Sequence, residues 1–333
     1  MSETPELQNR SIEQSWLRRL VLANRASIGT FAVFVVMMVL FFIGNPAVFS
    51  DHRIYYSVLT TLPVAIFVVV PMVFIVTVGE IDLSFPAVMA LSAWVFALGA
   101  QAGMDPFVCF LAGLLVGVLT GAVIGSVVVY GGLSSLVATL GLSFLIRGGI
   151  LIATGGKSIA MVSLKDSAVY KTLSGTIADF PAQMIWALVF VAISVFLYNR
   201  HKFGARVHCV GDNPDSAEQM GIDTKRIRVY TFVFMGLGAG LAGMFSTMIN
   251  FTWWPTTGDS YLLPTLAAVF VGGTPTWGGI GTIIGGTFGA VIVSFIQVGI
   301  VSAGLDGFYV QFFNGLIIIL ALLGHRWNQI RYR

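Results

Sequence analysis

Charged residues are scarce in this chain of 333 residues. Asp, Glu, Lys and Arg together make up 10% of it, whereas a soluble globular protein carries about 25%. Hydrophobic residues make up 56%, and the mean hydropathy is +0.89. This composition argues against a soluble fold, and we expect the chain to lie in a lipid bilayer.

Cysteine, histidine and clustered positive charge are also scarce. Neither Cys109 nor Cys209 has a Cys or His at metal-ligand spacing, and the four histidines fall in loops or at ends. We therefore expect no metal site, no cofactor and no enzymatic site. The net charge of +3 is spread over several short loops, which argues against nucleic acid as a partner.

Residues 151–158 imitate a phosphate-binding loop, but Leu151 stands where the first glycine is required. We therefore expect this chain to bind no nucleotide.

Long apolar runs fill most of the sequence. A transmembrane helix needs about 20 apolar residues. The first run is too long for the core of a signal peptide, so we expect an uncleaved first span. Ten candidate segments are bounded by polar breaks, several of them interrupted by Gly or Pro: 27–49, 57–78, 85–101, 107–129, 133–153, 183–198, 229–250, 262–275, 281–302 and 308–324. These predict an all-α polytopic membrane protein of about ten transmembrane segments, some discontinuous or re-entrant.

Basic residues predict the orientation, because short loops rich in Lys and Arg stay in the cytoplasm. The N-terminal tail (1–26), the loop 199–228 and the C-terminal tail (325–333) qualify. Six and then four segments separate these regions, so both termini are expected in the cytoplasm and the transmembrane domain covers residues 27–324. Residues 154–182 then lie outside, although Lys157, Lys165 and Lys171 in that segment weaken the charge argument.

Two glycine series predict close helix packing. Small residues four apart give a helix a smooth face that another backbone can approach in a membrane. The predicted packing glycines are Gly113, Gly117, Gly121 and Gly125 in one segment and Gly281, Gly285 and Gly289 in another.

Residues 79–84 place two carboxylates between apolar runs. Carboxylates at membrane depth are costly and tend to face a cavity or pair with a partner. A helix break here would place Asp82 or Ser84 at an N-cap and Pro86 in the first turn. Two interpretations stay open: these residues only cap a discontinuous helix at the cytoplasmic border, or they also line a substrate cavity.

The loop 199–228 contains the pattern of a short helix. Asn213 can cap it, and Pro214 suits the first helical position. The negative charges of Asp215 and Glu218 suit the positive end of the helix dipole, and Gly221 can provide a left-handed stop. A helix of two turns is not stable alone in water. We therefore expect it to dock on a partner surface.

Four motifs in order resemble one family of membrane proteins. They are Gly79-Glu80-Ile81-Asp82-Leu83-Ser84; Ala138-Thr139-Leu140-Gly141 followed by Arg147-Gly148; Asn213 with Ala217, Gly221 and Ile222; and Gly272-Gly273-Thr274 followed by Gly278-Gly279-Ile280-Gly281. Together they resemble permease subunits of bacterial ABC importers for ribose, xylose and related monosaccharides. Phe85-Pro86 and Pro275-Thr276-Trp277 depart from the family pattern, which bears on the identity of the sugar.

The resemblance implies a permease of the bacterial inner membrane that works by alternating access. It implies that two copies line one path, that cytoplasmic ABC ATPase subunits dock on the loop 199–228, and that a periplasmic binding protein delivers the solute. Residues 154–182 would then be periplasmic. The coupling helix would comprise Asn213, Pro214, Ala217, Glu218, Gly221 and Ile222.

The predicted substrate path contains Glu80, Asp82, Ser84, Thr139, Arg147, Trp253, Trp254 and Thr274. Arg147 would bind Glu80, Asp82 or backbone carbonyls, or would lie near the outer border and extend its guanidinium to the interface. The two tryptophans either belong to an interfacial aromatic belt or stack on an entering sugar.

Two alternatives remain from the sequence. The same architecture could import a nucleoside or a branched-chain amino acid. A stand-alone carrier driven by protons or sodium would instead use Glu80 or Asp82 as its coupling carboxylate.

Overall fold

A computed structural model describes residues 25–302 and 306–331. The helices are α1 (Arg25–Gly44), α2 (Pro46–Phe49), α3 (His52–Thr77), α4 (Phe85–Gln101), α5 (Pro106–Gly131), α6 (Ser135–Thr154), α7 (Ala168–Leu173), α8 (Ala182–Asn199), α9 (Lys202–Asp212), α10 (Pro214–Gln219), α11 (Thr224–Asn250), α12 (Leu262–Val271), α13 (Ile283–Ser302) and α14 (Phe308–Arg331). Short 3-10 helices lie at Val162–Asp166 and Asp259–Tyr261. Residues 1–24 of the predicted N-terminal tail (1–26) lie outside the described residues.

Four strands of two residues each complete the described part. They are β1 (Ile159–Ala160), β2 (Thr176–Ile177), β3 (Phe180–Pro181) and β4 (Thr252–Trp253). Strand β1 pairs antiparallel with β4, with Ile159 opposite Trp253, and β2 pairs antiparallel with β3. The predicted external segment 154–182 is thus ordered, and β1 joins it to the chain after α11.

The prediction of an all-α membrane protein is confirmed. Within the described residues, six helices are long and apolar enough to cross a membrane: α3, α5, α6, α8, α11 and α13. Four other predicted segments correspond to shorter apolar helices at Phe34–Gly44, Phe85–Gln101, Asp259–Val271 and Phe308–Leu323. The figure of ten crossings therefore stays a prediction.

Local sequence explains where several of these helices begin and end. Asp105 accepts hydrogen bonds from the N–H groups of Phe107 and Val108, and Pro106 occupies the first turn of α5. Gly132 ends that helix with a φ of 63°, a left-handed conformation that glycine adopts without steric cost. Helix α12 has only 10 residues, about 15 Å of rise. That is about half the thickness of a hydrocarbon core of about 30 Å, so α12 is too short to cross a bilayer by itself.

Helix α3 lies at the centre of the bundle. Residues 62–76 of this helix are all buried except Ala65, and α11, α13, α8 and α12 pack around it. Its two internal prolines, Pro63 and Pro71, are buried. Prolines are tolerated in membrane helices because neighbouring groups satisfy the freed backbone atoms.

The glycine series on α5 faces α11. A Cβ added to Gly117 would lie 2.6 Å from the carbonyl oxygen of Gly236, and one added to Gly125 would lie 2.8 Å from the Cβ of Phe232. These two helices approach so closely because both carry glycine at the contact.

Only two of the three glycines predicted in the second packing series lie in the same helix. Gly285 and Gly289 belong to α13 and lie against Gly272 and Ala268 respectively. Gly281 precedes that helix and packs instead beside Thr77 and Tyr198.

Contacts between distant residues define two ends of the bundle. We call one the basic end, where the hydroxyl groups of Tyr198 and Thr77 lie 2.7 Å apart. It carries Arg200, Lys202, Arg206, Lys225, Arg226 and Arg228. The other is the far end, where the amide nitrogen of Asn45 donates to the carbonyl of Ser302 at 3.2 Å and β1 pairs with β4.

Candidate translocation and coupling sites

The helix break predicted at residues 79–84 is confirmed. Helix α3 ends at Thr77, and Gly79 turns the chain with a φ of 90°, a conformation that favours glycine. Ser84 occupies the N-cap position of α4, but its side chain makes no capping bond there. Both its N–H and its hydroxyl donate to Oδ1 of Asp82, at 2.7 and 2.5 Å. Asp82 is only 3% exposed, so this carboxylate stabilises the break from inside the protein.

Helix α6 binds the same break through two hydroxyl groups. The N–H of Ile81 donates to Oγ of Ser135 at 3.2 Å, and the N–H of Leu83 donates to Oγ1 of Thr139 at 2.9 Å. Thr139 is fully buried. Of the predicted path residues, the structure therefore brings together Asp82, Ser84 and Thr139. In this conformation their polar groups bond to protein.

Glu80 points to a basic partner. Its carboxylate lies 3.4 Å from a guanidinium nitrogen of Arg228, near the start of α11, and both side chains are partly shielded from solvent. This ion pair places residues 79–84 at the basic end, beside the loop 199–228. The geometry thus agrees with the interpretation in which residues 79–84 cap a discontinuous helix at one end of the bundle.

Arg147 lies away from both carboxylates of the break. It follows Thr139 by eight residues on α6, about 12 Å further along the helix. Its guanidinium donates to the carbonyl oxygen of Pro255 and pairs with Asp259. Of the alternatives that the sequence left open for Arg147, the structure thus shows bonding to a backbone carbonyl, and the guanidinium pairs with neither Glu80 nor Asp82. Asp259 was not singled out from the sequence because it lies 112 residues away in a polar loop.

The two neighbouring tryptophans differ in their environment. Trp253 is fully buried; its indole N–H donates to the carbonyl of Ala90 at 2.9 Å, and its ring stacks on Trp94 with centroids 6.1 Å apart. Trp254 is 47% exposed. In this conformation only Trp254 could stack on a solute or lie in an interfacial belt.

Thr274 is also fully buried, and its hydroxyl has no hydrogen-bond partner among the described residues. It follows α12 towards the basic end, because Gly279 a few residues later donates its N–H to the carbonyl of Thr77 at 2.8 Å.

The short helix predicted in the loop 199–228 is confirmed as α10. The side chain of Asn213 accepts from the N–H of Ser216 at 3.0 Å, and Pro214 occupies the first turn. Gly221 adopts a φ of 78° after the helix. The N–H of Ile222 then donates to the carbonyl of Ala217 at 3.0 Å, which closes the C-terminus.

Helix α10 packs with two neighbouring helices, and these contacts were not predicted from the sequence. A preceding helix, α9, buries Gly204, Val207 and Val210; its amphipathic pattern could have been found in the sequence. Glu218 accepts from the hydroxyl of Thr224 at 2.5 Å, which ties α10 to α11. Helix α10 is therefore one part of a folded unit rather than an isolated helix.

Helix α9 contacts the ends of two other elements at the basic end. Nδ1 of His208 lies 3.0 Å from the carbonyl oxygen of Gly279, and its ring packs edge-on against Tyr198. A Cβ added to Gly211 would lie 2.6 Å from the N–H nitrogen of Gly279 and would also collide with the carbonyl of Thr77. A displacement of α9 would thus act directly on the end of α3 and on the loop before α13.

Among the described residues, no group of three or more His, Cys, Asp and Glu side chains could hold a metal ion.

Comparison with known proteins decides the family. The family described as the permease component of the branched-chain amino acid transport system matches residues 54–322. The chain belongs to this permease family. With its several apolar helices, this permease is a multi-pass protein of the inner membrane. No solved structure matches it.

Several relatives match the permease over most of their length. It is 27% identical to the ribose import permease of Haemophilus influenzae over 90% of this chain and 92% of the relative. It is 29% identical to the D-allose transport system permease of Escherichia coli, over 89% of this chain and 88% of the relative. It is 32% identical to the autoinducer 2 import system permease of Yersinia pseudotuberculosis, over 73% and 69% respectively. The predicted resemblance to sugar-type ABC importer permeases is confirmed.

Proposed function

We propose that this permease imports a monosaccharide or a related polyol as the membrane subunit of an ABC importer. The names of the ribose and D-allose permeases, which match about nine-tenths of this chain, support the sugar. ATP hydrolysis then belongs to a partner subunit, and this chain moves the solute by alternating access.

The observation that carries the proposal is the capped helix α10 on a folded, exposed support. Pro214, Asp215 and Ser216 are exposed, and Met220 beside them is 65% exposed. A short capped helix held on the surface of the protein offers a site at which another protein can dock, and Met220 adds an apolar side chain to that site. The contacts of α9 with Thr77 and Gly279 would carry a movement of that partner into the bundle.

The proposed assembly follows from this surface. The basic end faces the cytoplasm, where two ATPase subunits bind the α9–α10 regions of two permease copies. Residues 154–182 and the β1–β4 pair lie in the periplasm, where a solute-binding protein delivers the sugar. The excess of Lys and Arg at the basic end supports this orientation.

One rival cargo has a specific observation in its favour. The matching family is described by branched-chain amino acid transport, so an amino acid such as leucine is the second candidate. A stand-alone ion-coupled carrier has weaker support, because Glu80 pairs with Arg228 and Asp82 accepts bonds from Ser84. Neither carboxylate is free to exchange a coupling ion in this conformation.

The first experiment purifies the tagged chain from its native membrane and identifies the proteins that accompany it. The complex is then reconstituted in liposomes, and uptake of labelled D-ribose, D-allose and L-leucine is measured with and without ATP. We expect sugar uptake that needs ATP, the co-purified ATPase and the binding protein. Gradient-driven flux through the chain alone would contradict the proposal, and ATP-driven uptake of leucine without sugar would favour the rival.

A further inference from the structure

A cavity of about 720 Å³ opens at the far end, and none of the path residues that the sequence predicted lines it. Its walls come from α3, α12 and α13, with α2 at the mouth. It extends from Asp51 and Ser302 at the far end to Val69 and Ala268 in the middle of the bundle. Its volume lies within the range of about 300–1,000 Å³ that is typical of small-molecule sites.

Uncharged polar groups from three elements converge on this cavity. Ser57 and Thr61 lie one turn apart on α3, and Ser294 and Gln297 lie one turn apart on α13, so each pair shares one helix face. Ser260 completes the set before α12. Within the described part of the chain, the side chains of Ser57, Ser260, Ser294 and Gln297 make no hydrogen bond.

Apart from the hydroxyl groups of Tyr261 and Ser302 the remaining wall is apolar, and the charged groups among the described lining residues lie at the mouth. Among the described lining residues, the charged ones are Asp51 and Arg53, which pair with each other at 2.6 Å. The hydrogen bond from the Arg53 side chain lowers the pKa of Asp51 to about 2, so this pair stays ionised at neutral pH. Ala65 and Val69 form the deep wall.

The neutral polar groups of the lining favour a sugar over an amino acid as the cargo. A zwitterionic amino acid would have to leave water without an opposite charge to bind its ammonium and carboxylate groups, which is costly. A sugar carries many neutral hydroxyl groups, and free Ser hydroxyls and a Gln amide can both donate to and accept from them. The apolar wall suits the C–H faces of a sugar ring.

The cavity is closed towards the basic end. Val69 lies eight residues before Thr77 on α3, about 12 Å along the helix. Residues 70–76 of α3 are buried throughout. A solute in the cavity would therefore meet a packed barrier before the break at residues 79–84.

We propose that this cavity is the chamber that receives the solute from the far end, and that Ser57, Ser294 and Gln297 bind a neutral polyhydroxyl compound there. This inference rests on the proposed function; it locates the groups that bind the sugar or polyol and argues against an amino acid such as leucine. The break at residues 79–84 then belongs to the barrier and its coupling to α9, rather than to the first binding site.

A thiol-protection experiment on the assembled importer in lipid nanodiscs tests the chamber. Ser294→Cys is placed in a background with Cys109→Ala and Cys209→Ala, and its reaction rate with a hydrophilic methanethiosulfonate reagent is measured. We expect D-ribose to slow the reaction and L-leucine at the same concentration to leave it unchanged. Adding Gln297→Leu should raise the ribose concentration needed for half protection about three- to tenfold, as for the loss of one hydrogen bond.

A neighbouring pair of threonines supplies the matched control. Thr60 and Thr61 both donate their hydroxyls to carbonyls four residues back, but Thr61 lines the cavity and Thr60 does not. Thr61→Val should weaken protection by ribose, whereas Thr60→Val should not. Unchanged labelling of Ser294→Cys without ribose shows that each variant keeps its fold.

The outcomes separate the chamber from the proposed function. Sugar uptake without any protection by ribose overturns the chamber and leaves the sugar importer in place. Equal protection by leucine and ribose overturns the selectivity argued here. ATP-driven leucine uptake together with protection by leucine alone overturns both the chamber's chemistry and the proposed cargo.

Discussion

Replacing Gly117 of α5 by valine would place a Cβ 2.6 Å from the carbonyl oxygen of Gly236 and 3.2 Å from Cα of Gly240. Ordinary contact begins at 3.4 Å, so the first of these contacts falls short by about 0.8 Å. Both neighbours are backbone atoms of α11, and neither can move by changing a rotamer. The two helices would have to separate along their glycine seam.

Overpacking of this kind typically costs about 1–3 kcal/mol. One kcal/mol corresponds to about 2–4 °C in Tm for a domain of 150–250 residues, so we expect Tm to fall by roughly 2–12 °C. The measurement is thermal unfolding of the detergent-solubilised protein, followed by the loss of its monodisperse peak in size-exclusion chromatography.

Gly149→Val on α6 is the control for this prediction. A Cβ at Gly149 would meet no atom within 4 Å, so its Tm should change by about 1 °C or less, in line with a surface substitution. If both variants lost the same stability, the loss would come from removing glycine from a membrane helix, and the packing argument would be refuted.

Three further variants test the basic end and the core. Gly221→Val should uncouple ATP hydrolysis from uptake while the fold stays intact, because φ is 78° at this position and a β-branched residue strains it; normal transport per ATP would count against a coupling role for α10. Glu80→Lys should reduce uptake, because the lysine would repel Arg228, whose guanidinium lies 3.4 Å from the Glu80 carboxylate. The double variant with Arg228→Glu should recover part of the lost uptake; no recovery would show that this ion pair is not needed for transport. Trp253→Phe should lower Tm, since it removes the hydrogen bond from the indole N–H to the carbonyl of Ala90 at a cost of about 0.5–1.5 kcal/mol; an unchanged Tm would contradict this account.

Composition and the length of the apolar runs predicted the helical bundle. The hydrocarbon interior of a bilayer requires apolar side chains, and its thickness sets the length of each spanning helix. The helix break and α10 were also predictable, since Asp82, Asn213, Pro214 and Gly221 act on neighbouring backbone. Capping depends on residues within one turn, which a single sequence contains in full.

Contacts across the bundle were not predictable in the same way. Nothing near Arg147 in the sequence indicates Asp259, and nothing near Glu80 indicates Arg228. The chamber shows the same limit, because Ser57, Ser294 and Gln297 are ordinary polar residues in membrane segments until three elements bring them to one cavity. The carboxylates that stand out in the sequence belong to the barrier, whereas the candidate binding groups of the chamber are neutral.

Helix α6 is held at its start and again at Arg147, about two turns before its end, while most of its length faces the surroundings. Val137, Phe144 and Leu145 are each 72% exposed, yet Ser135 and Thr139 bind the loop at the basic end and Arg147 binds the chain at the far end. A saturation-mutagenesis profile of this helix should therefore be sharply uneven. Many apolar replacements should be accepted at the exposed positions, and almost none should be accepted at the three polar anchors.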